Sequence, residues 1–181
     1  MKVSSNPTGK RGLTQLAQSV YNYRKGSVSM SERSEKAVEL FQNGYNCSQA
    51  VFAAYADIFG FDTDTALKVS AGLGGGVGRS REVCGTVSAA AMLLGMKYGT
   101  TDGKDSEGKK LCYEKVQEYI TEFKKVNPSI VCRELLGLSQ GENSHPKPDE
   151  RTESYYKKRP CAQIVEDSAL ALEKILSEEM F

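Results

Sequence analysis

Apolar residues recur at intervals of three and four along most of the chain, the period of helices that turn one face inward. Ala37, Val38, Leu40 and Phe41 keep this spacing and Gly44 supplies a stop, so a helix is predicted over Ser31 to Asn43. A second begins at once. Asn46 can cap it with its side chain while Gln49, three residues on, reaches back in a capping box, and the helix should run to about Phe59. Asp62 or Thr63 then caps a shorter helix through Val69.

Between Ala71 and Gly78 the helical pattern breaks, because glycine stands at 72, 74, 75, 76 and 78 and lowers helix stability at each. Ser80 is expected to open the next helix, which passes Val87, Ala91, Met92 and Leu94 and ends at Gly99. The longest amphipathic pattern lies over Ser106 to about Val126, with Leu111, Cys112, Val116, Tyr119, Ile120 and Phe123 on one stripe and Asn127-Pro128 closing it. A short helix is predicted around Ile130 to Leu136. Residues 138–159 are mostly polar, hold Gly141, Pro146 and Pro148, and read as a long surface loop. Pro160 suits the first turn of a last helix whose apolar face is Ile164, Val165, Leu170, Leu172, Ile175 and Leu176.

The expectation is an all-α fold: a compact single-domain bundle of about six to seven helices over residues 31–181, with a Gly-rich loop. Residues 1–30 are rich in Ser, Asn, Gly and Lys, with one short apolar stretch at Leu13 to Tyr23, and are expected to be a tail or docking segment. A length of 181 residues fits one domain.

Charge narrows the function classes. The 24 basic and 23 acidic residues leave a net charge of +1, which offers no basic excess for a phosphate backbone, so nucleic acid is not expected as a ligand. No apolar run approaches the length that spans a bilayer, and the first residues lack the basic-then-apolar order of a signal peptide, so no membrane is expected and the cytoplasm is. In a reducing compartment the five cysteines are expected to stay free unless catalytic or metal-bound.

Four of those cysteines share a setting. Cys47 and Cys161 fall in the first turns of their predicted helices, and Cys84 and Cys132 at the end of the first turn or just beyond. Helix N-termini present unpaired N–H groups and the positive end of the macrodipole, which favour a thiolate. The faces place the thiols inward: Cys47 with Val51, Tyr55 and Ile58, Cys161 with Ile164, Val165 and Leu172, Cys132 with Leu135 and Leu136, and Cys84 along Val87, Ser88, Ala91 and Met92. Cys112 sits inside its helix and reads as core. The four are too dispersed for a local zinc clip, and the only histidine, His145, is in the polar loop. A four-thiolate iron–sulfur or zinc site would have to be assembled by the tertiary fold. Gly74, Gly75 and Gly76 could aim N–H groups at an anion or cofactor, although no phosphate-loop motif is present. Arg79 and Arg81 beside them could stabilise a thiolate.

These residues resemble a known family. Asn46-Cys-Ser-Gln-Ala-Val51, Ala71-Gly-Leu-Gly-Gly-Gly-Val-Gly-Arg79, Glu82-Val-Cys-Gly-Thr-Val-Ser88, Cys132-Arg-Glu-Leu-Leu-Gly137 and Cys161 look like the redox-active proteins named for a C, GCAxxG, C, C pattern. The resemblance implies a compact helical domain and marks Cys47, Cys84, Cys132 and Cys161, but not Cys112, as signature cysteines. The chain departs from the strict motif at Val83, Gly85 and Ser88, where the pattern has glycine, alanine and glycine.

Three functions follow. In the first, a low-pKa cysteine forms a transient disulfide with a redox partner protein or with another of the four, Cys84 attacking and Cys47 resolving. In the second, the four thiolates ligate an iron–sulfur cluster or zinc. The third is a non-catalytic helical interaction domain whose cysteines are core.

Overall fold

The structure is a computed structural model that describes residues 31–177, so the expectations for 1–30, including Leu13 to Tyr23, lie outside the described residues. The described chain is helical, with eight α-helices: α1 (Glu32–Gln42), α2 (Cys47–Tyr55), α3 (Thr63–Ser70), α4 (Gly85–Tyr98), α5 (Ser106–Lys124), α6 (Cys132–Leu135), α7 (Glu153–Lys158) and α8 (Cys161–Ser177). All lie within one compact unit. Among the described residues there is no strand, only an isolated antiparallel bridge between Val83 and Val131. None of these helices is long and apolar enough to cross a membrane.

Local chemistry sets most helix starts. Ser31 caps α1, Asp62 caps α3 and Asp105 caps α5 through side-chain oxygens. At α2 the capping box forms as the spacing predicts, with Asn46 accepting from Ser48 and Gln49 while the Gln49 side chain accepts from the Asn46 backbone N–H. Helix α2 gives way to a 3₁₀ turn at Ala56–Phe59, which leaves Ile58 exposed instead of on the Cys47 stripe.

The core is built around α2, which packs against α1, α3, α4 and α8. A helix touched on so many sides cannot be amphipathic, and Ala50, Val51, Phe52, Ala53, Ala54 and Tyr55 are all buried. The Tyr55 hydroxyl meets its hydrogen-bonding need by donating to the Ala169 carbonyl of α8 at 2.7 Å. Helix α5 presents the predicted stripe, with Tyr119 and Phe123 fully buried and Cys112, Val116 and Ile120 half-buried at the core's edge; Leu111 is exposed.

Two expectations change. Helix α4 begins at Gly85, not Ser80, because residues 75–79 are still turning with positive φ and Cys84 is the cap; the buried face is therefore Thr86, Val87, Ala89, Ala90, Leu93 and Leu94, with Ser88, Ala91 and Met92 half-buried. Residues 138–159, though largely exposed, are no free loop. They contain α7, capped by Thr152, and are pinned to the body by the Tyr156 hydroxyl, which donates to the Phe41 and Gln42 carbonyls. The sequence signal for α7 is short and its apolar content is two tyrosines, too little to show a helical period.

Candidate functional site

Each of the four dispersed cysteines stands at a helix start. Cys47, Cys132 and Cys161 are the first residues of α2, α6 and α8, and Cys84 is the N-cap residue of α4. All four line one cavity of about 270 Å³. The juxtaposition of the α4 and α6 starts comes from the Val83–Val131 bridge, in which the Cys84 N–H donates to the Ile130 carbonyl (2.8 Å) and the Cys132 N–H to the Glu82 carbonyl (2.6 Å). That pair of bonds satisfies backbone donors which a helix start leaves unpaired.

The Gly-rich segment forms the other wall. Gly75, Gly76, Val77, Gly78 and Arg79 all have positive φ, a run that L side chains resist and glycine permits. Gly74, Gly75 and Gly76, expected to aim N–H groups at an anion or cofactor, sit tightly against neighbouring segments. A Cβ at Gly74 would lie 2.4 Å from Asn46 Cγ, and one at Gly76 would lie 2.7 Å from Cys132 Cβ. These glycines let the loop press against the α2 cap and Cys132, and Gly75 turns its N–H to the Cys47 sulfur.

Within the cavity the thiols are not equivalent. Cys47 and Cys84 share a hydrogen bond, which stabilises the Cys47 thiolate; burial opposes this, and the backbone N–H groups of Gly75, Ser48 and Gly85 reinforce it, holding Cys47 down to about 6. As donor in that bond Cys84 is pushed well above the ordinary thiol value, with burial and the Cys47 charge adding to the shift and the Thr86 hydroxyl, 3.3 Å away, opposing it. Burial, then Cys47, raises Cys161 to about 12, and burial raises Cys132 against the pull of Arg81. The sequence reading made Cys84 the attacking thiolate, whereas the hydrogen bonding around the pair lowers Cys47 and raises Cys84.

Gly85 has a specific reason to be glycine. A Cβ there would lie 2.8 Å from Cys47 Sγ and 2.9 Å from the Leu73 carbonyl oxygen. The departure from the strict motif at 85 thus makes room for the Cys47 sulfur. Thr86 is fully buried and was not singled out by sequence; only its position two residues after Cys84 could have marked it.

Charged groups from three segments surround the cavity. Arg79 donates to the His145 carbonyl and pairs with Asp149 at 3.2 Å, and Arg159 pairs with the same carboxylate at 2.7 Å. Arg81 is 4% exposed; it donates to the Asn143 carbonyl through Nε and approaches Cys132 Sγ at 3.9 Å, while its Nη2 is buried without a partner. Arg151, Asp149, Tyr155, Pro146 and Pro148 bring the 138–159 segment to the cavity, so the region read as a surface loop roofs the site. His145 is exposed and takes part only through its backbone carbonyl.

The alternative of a four-thiolate metal site was tested on the donor set. Among the described residues no group of three or more His, Cys, Asp or Glu side chains is gathered as a metal ion needs. The four thiols line one cavity but are not gathered as such a group in this arrangement. Cys112 lies away from the cavity.

One family comparison is positive: the model of the family described as "Putative redox-active protein (C_GCAxxG_C_C)" matches residues 45–175. No curated protein and no solved structure matches the chain.

Proposed function

Because this chain belongs to the C_GCAxxG_C_C family of redox-active proteins, we propose that it carries out thiol–disulfide chemistry with Cys47 as the attacking thiolate and Cys84 as the resolving thiol. The observation that carries this reading is that Cys47 and Cys84 line one cavity with the Cys47 sulfur against the Gly85 backbone, surroundings that lower Cys47 and raise Cys84. An anion held by preorganised donors is a nucleophile at neutral pH, and a neutral thiol beside it is placed to follow.

The Cys47 thiolate attacks one sulfur of a disulfide R–S–S–R; a Cys47–S–S–R bond forms, the substrate S–S bond breaks, and R–S⁻ leaves. The Cys84 sulfur then attacks Cys47 Sγ, its proton passing to one of the two leaving sulfurs. A Cys47–Cys84 disulfide forms as the second R–S⁻ departs. The protein dithiol is oxidised by two electrons and the substrate is reduced to one thiol and one thiolate.

The test is to mix the reduced protein with 2-hydroxyethyl disulfide and follow adducts by mass spectrometry. Cys84→Ser should accumulate the mixed disulfide on Cys47, and Cys47→Ser should form none there. An adduct that accumulates on Cys84 in Cys47→Ser, at the wild-type rate, would overturn the assignment of roles.

A further inference from the structure

The cavity holds more positive charge than its own acids balance. Three guanidiniums, Arg79, Arg81 and Arg151, line it, and Asp149 is the one carboxylate among its lining residues. Asp149 is committed on both sides, to Arg79 and to Arg159. Arg81 and Arg151 make no contact ion pair with a carboxylate among the described residues, although the Arg81 charge is felt at Asp149. Cys132, the sulfur nearest Arg81, is raised by burial and stays a neutral thiol, so it offers no counter-charge. Even with Cys47 ionised, the three guanidiniums of the lining outnumber its two anions, Asp149 and Cys47.

Both arginines also keep donors in reserve. Arg81 Nη2 and Arg151 Nη1 are buried without partners, a costly state for a charged group unless something supplies an acceptor. Arg151 is held in place by stacking, its guanidinium carbon 4.6 Å from the Tyr155 ring centre and 4.9 Å from that of Phe41. A planar guanidinium fork matches the two oxygens of a carboxylate. The remaining walls, Phe41, Leu135 and Ile164 among them, are apolar, and the volume suits a small molecule.

We infer that the cavity binds a small carboxylate-bearing thiol or disulfide, anchored by Arg81 and Arg151 beside the Cys47–Cys84 pair. This names the substrate class for the thiol chemistry proposed above and rests on that reading for the reactive sulfur.

The test compares two alkylating agents of nearly equal size, iodoacetate and iodoacetamide, on the reduced full chain, with modification of Cys47 quantified by mass spectrometry and N-acetylcysteine as the free-thiol reference. Charge focusing in a cleft raises local anion concentration by tenfold or more. The iodoacetate to iodoacetamide rate ratio at Cys47 should therefore exceed the reference ratio by roughly tenfold and fall with added salt. Arg151→Gln and Arg81→Gln should each bring it back towards the reference. If Arg81→Gln does not fold, the wild-type ratio and Arg151→Gln still decide. A wild-type ratio at or below the reference overturns the anion site even if Cys47 reacts as a thiolate. A high ratio that both folded variants retain overturns the two anchors. Absence of an alkylation inflection near pH 6, with the ratio still high, would instead remove the thiolate reading and leave the anion site standing.

Discussion

The Cys47 sulfur lies against the backbone of Gly85, where a Cβ would stand 2.8 Å from it. Two consequences are opposed. Alanine normally steadies a helix by about 1 kcal/mol over glycine, yet here it must displace the sulfur from the N–H groups that stabilise its anion. Gly85→Ala is expected to move the Cys47 ionisation upward towards the ordinary thiol range and to show no gain in melting temperature. Titration of thiolate absorbance near 240 nm checks the first, and calorimetry the second.

Reactivity and stability should both report the ionisation of Cys47. Its folded value of about 6 is below the ordinary thiol value of 9.0, so between those limits the folded protein holds a thiolate where the unfolded chain binds a proton. Unfolding then takes up a proton, and this contribution to stability is full above about pH 9, shrinks as pH falls, and is gone below about pH 6. Alkylation of Cys47 by iodoacetamide should follow the thiolate fraction, levelling off just above pH 6. An inflection near 9 would contradict the geometry. Cys47→Ser should flatten the corresponding part of the stability profile.

Thr86 touches the second step and not the first. Its hydroxyl is 3.3 Å from Cys84 Sγ and opposes the rise in that thiol's ionisation. Thr86→Val keeps the volume and removes the hydrogen bond. The mixed disulfide on Cys47 should form as before and persist longer, measured by quenching and mass spectrometry. Equal lifetimes in both proteins would show that Thr86 has no part in resolution.

Asn46 ties the α2 cap to the Gly-rich wall. Its side chain accepts from Ser48 and Gln49 and donates to the Ala71 carbonyl at 2.9 Å. Asn46→Ala should cost about 1 to 2 kcal/mol in denaturant unfolding, the range for a lost N-cap. Because the same change loosens the segment carrying Gly75, it should also raise the Cys47 ionisation, unlike a cap removal elsewhere such as Asp62→Ala.

The roof depends on Asp149, which joins Arg79 of the Gly-rich segment to Arg159 before α8. Asp149→Asn removes the charge that holds both. Proteolysis within residues 138–159 should accelerate several-fold, because both partly buried pairs hold this segment over the cavity.

The capping box at Asn46 and Gln49, the cap at Asp62, the long α5 stripe and the start of α8 after Pro160 could all be read from the chain, because each depends on residues three or four apart. So could the placement of four cysteines near helix starts. The Gly-rich break was legible as a break; its form was not, since a run of positive φ is held by carbonyls and side chains that come from α2 and α6. The same limit hid α7, whose tyrosines and Arg151 act on Phe41 from more than a hundred residues away.

Sequence alone determined an all-helical chain with four cysteines at the helix ends, because helix periodicity and capping are local. Tertiary structure decided how unequal the surroundings of the four thiols are. That depends on the N–H groups of Gly75 and Gly85 meeting one sulfur across three separate segments, and on the absence of a Cβ at 85, neither of which any local pattern records. It also decided that Arg79, Arg81 and Arg151 would share a cavity with one carboxylate, Asp149, since charge balance over a whole chain says nothing of balance in one pocket.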